Sequence, residues 1–351
     1  MATIILTGGG TAGHVTPHLA ILPYLRKDFD KIYYIGSEHG IEKDIIKKED
    51  IPYYSVPCAK FNRSLNFNNV TIPFKLISGY LKAGKLLDKI KPDVIFSKGG
   101  YVAIPTVLAG KKRNIPIISH ESDYSLGLAN RITAKYCKKI LTSFKDTAST
   151  IKNGEYVGSP IRKALFSTNK ENALKKFSFL GSKPILLVTG GSQGAQFINK
   201  ILRDSLPNLL PKYDVIHICG KNNLIDELNQ KGYYQVEYMN DIENAFAVAS
   251  VCVSRAGSNT VFELLALKKP CILIPLPKGT SRGDQILNAE YFQKLGLVNV
   301  LPQQVLTPES LTLSINSTYA NRFNIARNFA KNPINDASRE ISNIISNYIT
   351  K

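Results

Sequence analysis

No apolar stretch in the chain approaches the ~18–20 residues a membrane-spanning helix needs. Met1 runs straight into ATIILT and a glycine cluster, with no basic segment leading into an apolar one, so no secretory signal is expected. None of the five cysteines forms a Cys-x-x-Cys pair. Cys219, Cys252 and Cys271 lie in apolar runs and read as small reduced core residues of a cytosolic protein. Low-complexity segments are absent. Acids are scarce: 27 Asp and Glu stand against 45 Lys and Arg, a net charge of +18. The excess is uneven. Lys60 to Thr150 holds 16 basic and 5 acidic residues, which points to a polyanionic surface as partner, either nucleic acid or anionic lipid.

What is present is a repeated alternation. The 351 residues suit two lobes of roughly 150–200 residues. Strands are predicted at 2–7, 31–36, 53–57, 93–99, 116–121, 139–144 and 155–160. After a polar stretch around 163–183 they resume at 184–191, 214–220, 234–239, 251–257, 270–275 and 297–302. Intervening helical patterns make these βαβ units with parallel sheets. Each half opens on a strand that enters a glycine-rich turn, IILT-GGGTAGH and then ILLVT-GGSQGA. The reading is α/β, with a first domain over 1–161 and a second over 162–334. Gly158-Ser159-Pro160 serves as the linker. A last helix over 335–351, with Ile341, Ile344, Ile345 and Ile349 at helical spacing, joins the first domain.

In doubly wound sheets ligands meet the carboxyl ends of strands. The first candidate stretch is Gly8 to His14, which matches Gly-x-Gly-x-x-Gly and raises an NAD-dependent oxidoreductase as the rival reading. The acid such an enzyme needs is Asp28 or Asp30, and both fall at the opposite edge of the sheet. His14 and His18 are four apart, but Pro17 begins a helix between them, so they do not share a face as metal ligands would. His14 at the loop end reads as a proton acceptor or donor. His39 and His217 read as structural. Lys98-Gly99-Gly100-Tyr101 and His120-Glu121-Ser122-Asp123 follow two further strands, with Glu121 and Asp123 as rival bases or helix caps. In the second half, Gly190 to Gly194 and Ser254 to Glu263 follow strands. The helix beginning near Ser258 offers N–H groups and a dipole to a diphosphate, and Glu263 offers a carboxylate to a vicinal diol. Asp28-Phe29-Asp30 stands at the wrong edge to hold a metal, so the diphosphate is expected to be neutralised by helix N-termini and Arg162, with no metal and no cofactor.

The motifs GGGTAGHVTP, KGGY, HESD, VGSPIR, GGSQGA, SRAGSNTVFE and DQILNAE, in this order from Gly8 to about Glu290, resemble one family. It is that of the UDP-N-acetylglucosamine:undecaprenyl-pyrophosphoryl-muramyl-pentapeptide N-acetylglucosaminyltransferases of bacterial cell-wall synthesis. The resemblance implies a GT-B fold, two doubly wound Rossmann-like domains facing across a cleft. It implies inverting, metal-independent transfer of N-acetylglucosamine to the C4 hydroxyl of muramic acid on lipid I, giving lipid II and UDP. By the same resemblance Thr11, Ala12 and Gly13 touch the donor sugar and line the acceptor site, and Arg162 and Ser192 contact the donor. Met239 stands where a backbone group meets uracil. Ser258, Asn259, Thr260 and Val261 form the diphosphate-binding helix start, Glu263 takes the ribose, and Gln285 takes the sugar. Ala12 stands where many members have glycine, and Asp123 where asparagine is frequent.

A non-catalytic binding module is a third reading, against which His14 and Glu263 argue. The lipid-linked acceptor implies an enzyme peripheral to the cytoplasmic side of the cell membrane, so the polyanion is read as anionic lipid and not nucleic acid. The candidate surface is a helix from Pro73, where Lys75, Lys82, Lys85 and Lys89 run beside Phe74, Ile77 and Leu81. The same pattern also describes a crossover helix packed on the sheet.

Overall fold

The structure, a computed structural model, describes residues 1–59, 72–191, 194–280 and 282–349. It divides into two units, Met1–Arg162 with Asp336–Lys351, and Lys163–Asn335.

The first unit is built on β1 (Thr3–Thr7), β2 (Lys31–Gly36), β3 (Tyr53–Ser55), β4 (Val94–Ser97), β5 (Ile117–Glu121), β6 (Lys139–Thr142) and β7 (Gly154–Tyr156). All pair in parallel, in the order β3-β2-β1-β4-β5-β6-β7. Parallel strands are covered on both faces, which is why TIILT, IISHE and VIFS are buried from end to end. In the central register Ile4 lies beside Ile32 on one side and Val94 on the other.

The second unit repeats the plan with β8 (Ile185–Thr189), β9 (Asp214–Ile218), β10 (Tyr233–Val236), β11 (Val251–Ser254), β12 (Cys271–Leu273) and β13 (Asn299–Val300), ordered β10-β9-β8-β11-β12-β13. Cys219, Cys252 and Cys271 are fully buried and free, and burial pushes the Cys252 thiol up to about 12.

Each predicted strand is present, trimmed by up to four residues. Two local expectations change. Gly158-Ser159-Pro160 is no exposed linker: all three are buried. The Gly158 carbonyl accepts from His120 Nε2 (3.0 Å) and from Ser143 Oγ (3.3 Å), while the Ser159 carbonyl accepts from the Ala337 amide (3.1 Å). The polar stretch after it contains a short helix, Lys170–Lys176. Asn169 Oδ1 caps it by accepting from the amides of Glu171 and Asn172.

The C-terminal helix Ser338–Ser346 returns to the first unit. Asp336 Oδ1 accepts from the amides of Ile161 (2.8 Å) and Ser338 (2.9 Å), tying the departing and returning strands of chain together. Ile341 and Ile345 enter the same core as Ile21, Leu22 and Leu25 of helix Thr16–Asp28. Ser346 Oγ donates to Asp28 Oδ2 (2.6 Å). The helix Ile72–Ile90 packs through small residues: a Cβ at Gly79 would strike the Pro57 carbonyl. Near its C-terminal end the helix is fastened by Arg113, which donates to both oxygens of Asp88 at 2.7 Å.

Ile341→Ala removes a side chain with no exposed surface from this core. It is expected to destabilise the first unit by about 2–5 kcal/mol, read as a lower denaturant midpoint by circular dichroism. An unchanged midpoint would mean the returning helix contributes nothing to that core.

Candidate functional site

In both sheets the winding diverges from a central strand, β1 against β4 and β8 against β11. The crevice of such a sheet opens at the carboxyl ends of those strands, and the motif loops stand there.

In the first unit β1 ends in Gly8. The Tyr34 hydroxyl donates to the Gly8 carbonyl (2.9 Å), and Tyr34 stacks on Tyr53. Gly10 takes φ +85°, and Ala12–His14 form a single turn before the helix at Thr16. His14 Nδ1 and Thr11 Oγ1 share a hydrogen bond of 3.0 Å. The loop after β4 presses against this one. A Cβ at Gly100 would overlap the Gly9 carbonyl and lie 3.2 Å from His14 Nδ1. Beneath them Glu42, fully buried, accepts from the amides of Gly10 (3.1 Å) and Ser37 (3.0 Å) and from the Ser37 hydroxyl.

Behind the loops lies a buried polar chain. Lys98 is 2% exposed. Its ammonium meets His120 Nδ1 at 2.5 Å and donates to Ser122 Oγ at 2.7 Å. His120 Nε2 donates to the Gly158 carbonyl, which leaves Nδ1 as the acceptor that Lys98 requires. Burial pushes the Lys98 ammonium down to about 7, against the opposing pull of Glu121 and Asp123. Burial and Lys98 hold His120 and His18 well below the ordinary imidazole range, so both are neutral.

The strand β5 ends at Glu121, where the predicted span 116–121 ends. The Glu121 carboxylate is buried and accepts from the Asp123 amide (3.0 Å), the Gly127 amide (2.8 Å) and Asn130 Nδ2 (2.9 Å). Three donors fix it in place. It shapes the loop that carries Asp123 and the start of helix Leu128–Thr133. Asp123 stays half-buried and His14 half-buried.

In the second unit the helix Ser258–Ala266 starts where it was expected, with Gly257 at its N-cap and no side chain capping it. A Cβ at Gly257 would meet nothing within 4 Å, so the approach to the helix start is open. Arg255 Nη1 donates to the Ile274 carbonyl (3.1 Å), and Asn288 Nδ2 donates to the Ala256 carbonyl (3.1 Å), holding that turn from both sides. Gln285 is partly engaged, its Oε1 accepting from the Leu276 amide (3.1 Å). Met239 is buried beyond β10, while Asn259, Thr260 and Glu263 are half-buried along the helix start and Val261 is buried. Ser192 lies outside the described residues. Arg162 closes the first unit. His217 is structural: its ring nitrogens meet the Tyr233 hydroxyl (2.8 Å) and Asn199 Oδ1 (2.9 Å), and burial takes it down to about 3.

The structure brings Thr11, Ala12, Gly13 and His14 together with the loop after β4, and Ser258 to Val261 together with Gln285's helix through Asn288. Glu42, Asn130 and Asn199 were not singled out from sequence, and Lys98 only as part of the candidate loop after β4. Each supports a strand-end loop from a distant position, and only a buried charge or amide in an otherwise apolar neighbourhood signals it.

A separate surface lies on the helix Ile72–Ile90. Its buried face is Gly79, Ala83, Gly84 and Leu87. Its opposite face exposes Phe74 (73%), Ile77 (59%) and Leu81 (57%) with exposed Lys75, Lys82, Lys85 and Lys89. The named apolar residues are therefore not the ones that pack on the fold.

Residues 4–142 match the glycosyltransferase family 28 N-terminal domain, and residues 185–344 the glycosyltransferase family 28 C-terminal domain. A relative from Clostridium botulinum (strain Langeland) is 45% identical over 352 residues, covering 99% of each chain. It is named UDP-N-acetylglucosamine--N-acetylmuramyl-(pentapeptide) pyrophosphoryl-undecaprenol N-acetylglucosamine transferase. A relative from Bacillus thuringiensis (strain Al Hakam) with the same name, numbered 3, is 47% identical over 315 residues, 89% of this chain and 90% of its own. Among solved structures, Acinetobacter baumannii MurG superposes with a TM-score of 0.78 at 22% identity, covering 99% of this chain and 100% of that one. At that identity the likeness is one of fold. These matches overturn the oxidoreductase reading. A physical reason agrees with them: Glu42 already takes the Gly10 amide, and Asp30 accepts from the Ala2 amide (2.7 Å) at the far edge of the sheet.

The Lys98 shift has a signed consequence. The folded protein releases that proton near pH 7 and the unfolded chain near 10.5, so between them the unfolded state binds more protons and stability rises with pH. Measured against Lys98→Met by urea denaturation, the wild type should gain at most about 1.4 kcal/mol per pH unit from pH 7 to 10. A pH-independent difference would place the ammonium in contact with solvent.

Proposed function

The chain belongs to glycosyltransferase family 28, and from that membership we propose that it carries out the reaction for which its full-length relatives are named. It transfers N-acetylglucosamine from UDP-N-acetylglucosamine to the C4 hydroxyl of the muramyl sugar on undecaprenyl-pyrophosphoryl-linked lipid I. The products are lipid II and UDP. The observation that carries this reading is 45% identity over both units at once, not over one glycine loop.

In this reading the first unit takes the acceptor and the second the donor. The acceptor hydroxyl gives its proton to His14 as its oxygen attacks the anomeric carbon from the face opposite UDP. The Thr11 contact supports that role: with Nδ1–H donating to Thr11 Oγ1, Nε2 is the proton-accepting nitrogen. Asp123 is the alternative base. Negative charge on the departing diphosphate is met by the helix start at Ser258, Asn259, Thr260 and Val261, with Arg162 and Ser192 as further contacts. Glu263 accepts from the ribose diol, Gln285 from the sugar, and Met239 offers backbone to uracil. Among the described residues no group of three or more His, Cys, Asp or Glu is placed to hold a metal ion. In this reading N–H groups and the Arg162 guanidinium neutralise that charge.

The acceptor's lipid stays in a bilayer. Among the described residues no helix is long and apolar enough to cross a membrane. The exposed Phe74, Ile77 and Leu81 within a lysine stripe support peripheral docking on the anionic cytoplasmic face, with the lysines attracted to the lipid charge and the apolar side chains inserted.

Turnover of UDP-N-acetylglucosamine with a short-chain lipid I analogue tests the reaction, and release of UDP without a disaccharide product would refute it. His14→Ala should lower kcat by about 10²–10⁴; a larger loss in Asp123→Ala, with His14→Ala near wild type, moves the base to Asp123. Glu263→Ala should raise the donor KM by about 10–100-fold, the equivalent of a hydrogen bond to a charged group, and an unchanged KM removes it from the site. The Lys75/Lys82/Lys85/Lys89→Glu variant should lose cosedimentation with anionic liposomes and keep its turnover of the water-soluble acceptor. Retained liposome binding would move the docking surface to another part of the chain.

A further inference from the structure

Two glycine loops leave central strands in this chain, Gly8–Gly13 after β1 and Gly190–Gly194 after β8. Loops of this kind turn successive backbone N–H groups inward and so form concavities for anions. What supports them differs. Beside the described end of the second stand an amide and an imidazole, with the Arg203 guanidinium close to Cys219 and His217. Gly194 lies against the Cys219 carbonyl, which accepts from Asn199 Nδ2 (2.7 Å), and the adjoining His217 is uncharged.

Under the first, the concavity holds a carboxylate. Glu42 is fully buried, and its two oxygens take one amide from the loop (Gly10), one amide from the end of β2 (Ser37) and the Ser37 hydroxyl. A Cβ on Gly9 would lie 2.5 Å from the Glu42 carboxyl carbon, and one on Gly40 would overlap both oxygens, so two glycines are required for the carboxylate to sit this deep. Glu42 stands in the first turn of helix Ile41–Ile46, whose N-terminal end adds favourable dipole to its charge. A buried carboxylate receiving amide and hydroxyl donors is arranged as a bound anion would be.

We propose that Glu42 is a permanent occupant of the Gly9–Gly10 turn of the first glycine loop: it holds these two glycines in the conformation that presents Thr11 and His14, and it bars any phosphate group from that turn. A second anion there would face a like charge with the Gly10 amide already taken. Neither the donor's diphosphate nor the acceptor's pyrophosphate then binds at the Gly9 and Gly10 amides, although their sequence advertises a phosphate site. Glu42 is a positioning residue, and the kinetic part of the claim rests on the transferase reading.

The test uses the full chain and Glu42→Ala, which leaves a carboxylate-sized space. Its kcat should fall about 10²-fold, as for a catalytic group shifted by an ångström, with the donor KM unchanged. Excess sodium formate should restore much of that loss, and sodium chloride at equal ionic strength should not. Wild-type kcat in Glu42→Ala, or a loss that formate leaves untouched, overturns the positioning role. Should Glu42→Ala fail to fold, Glu42→Gln keeps the volume but turns an amide NH₂ toward a donor, and about a tenfold loss of kcat is expected; full activity there overturns the proposal as well. In glycine-selective ¹⁵N spectra, the wild-type Gly9 and Gly10 signals should stand still as sodium pyrophosphate is added. Movement of those signals on titration overturns the exclusion of phosphate. The spectra need no turnover, so a failure of the transferase reading would leave this arm intact and be recognised separately by absent product.

Discussion

A parallel sheet wound outward from its middle cannot close its own carboxyl edge. The helix after β1 and the helix after β4 depart to opposite faces, and the two strand ends between them are left with loops that must seal each other. Most of the first unit's chemistry follows from that mutual seal. The loops come so close that Gly100 has no room for a side chain against Gly9, and His14 is held where the two meet. The second unit meets the same constraint at β8 and β11, and solves it with Arg255 and Asn288 bracing the turn ahead of the helix at Ser258.

Polar groups buried beneath such an edge must be satisfied, since water cannot reach them. The two units satisfy theirs differently. The first is built on charge: Glu42 under one loop, Lys98 against His120 and Ser122, and Glu121 with three donors. The second is built on the Asn199 amide, His217 and the Tyr233 hydroxyl, with the Arg203 guanidinium beside them.

The architecture was legible because parallel strands write themselves as short continuous apolar runs, and the restart at ILLVT marked the second unit. The helix at Ser258 was legible for the same local reason: a strand, a glycine and hydrogen-bonding residues in sequence. Glu42 was not, because its partner in the loop, Gly10, lies 32 residues away, and nothing near Ile41 hints at the loop it enters. Gly158-Ser159-Pro160 misled in the opposite direction. Its composition is that of an exposed connector, yet its carbonyls are pinned by His120, Ser143 and Ala337, contacts that exist only after folding. The exposure of Phe74, Ile77 and Leu81 was also beyond the pattern of their spacing. An amphipathic helix shows two faces, and only the small residues Gly79, Ala83 and Gly84 on the other side decide which one the fold takes.

The return of Ser338–Ser346 to the first unit has a consequence for how the chain is made. Ala337, Ile341 and Ile345 belong to a core whose other buried members precede Gly158, so that core is incomplete while the entire second unit is being synthesised. At about 5–20 residues per second, that interval is on the order of ten seconds or more. During it the helix Thr16–Asp28 has no cover over Leu25 and its neighbours, and Asp336 has not yet joined Ile161 to Ser338. A nascent chain in this state carries an apolar groove of its own, shaped for an amphipathic helix, on the ribosome and open to chaperones.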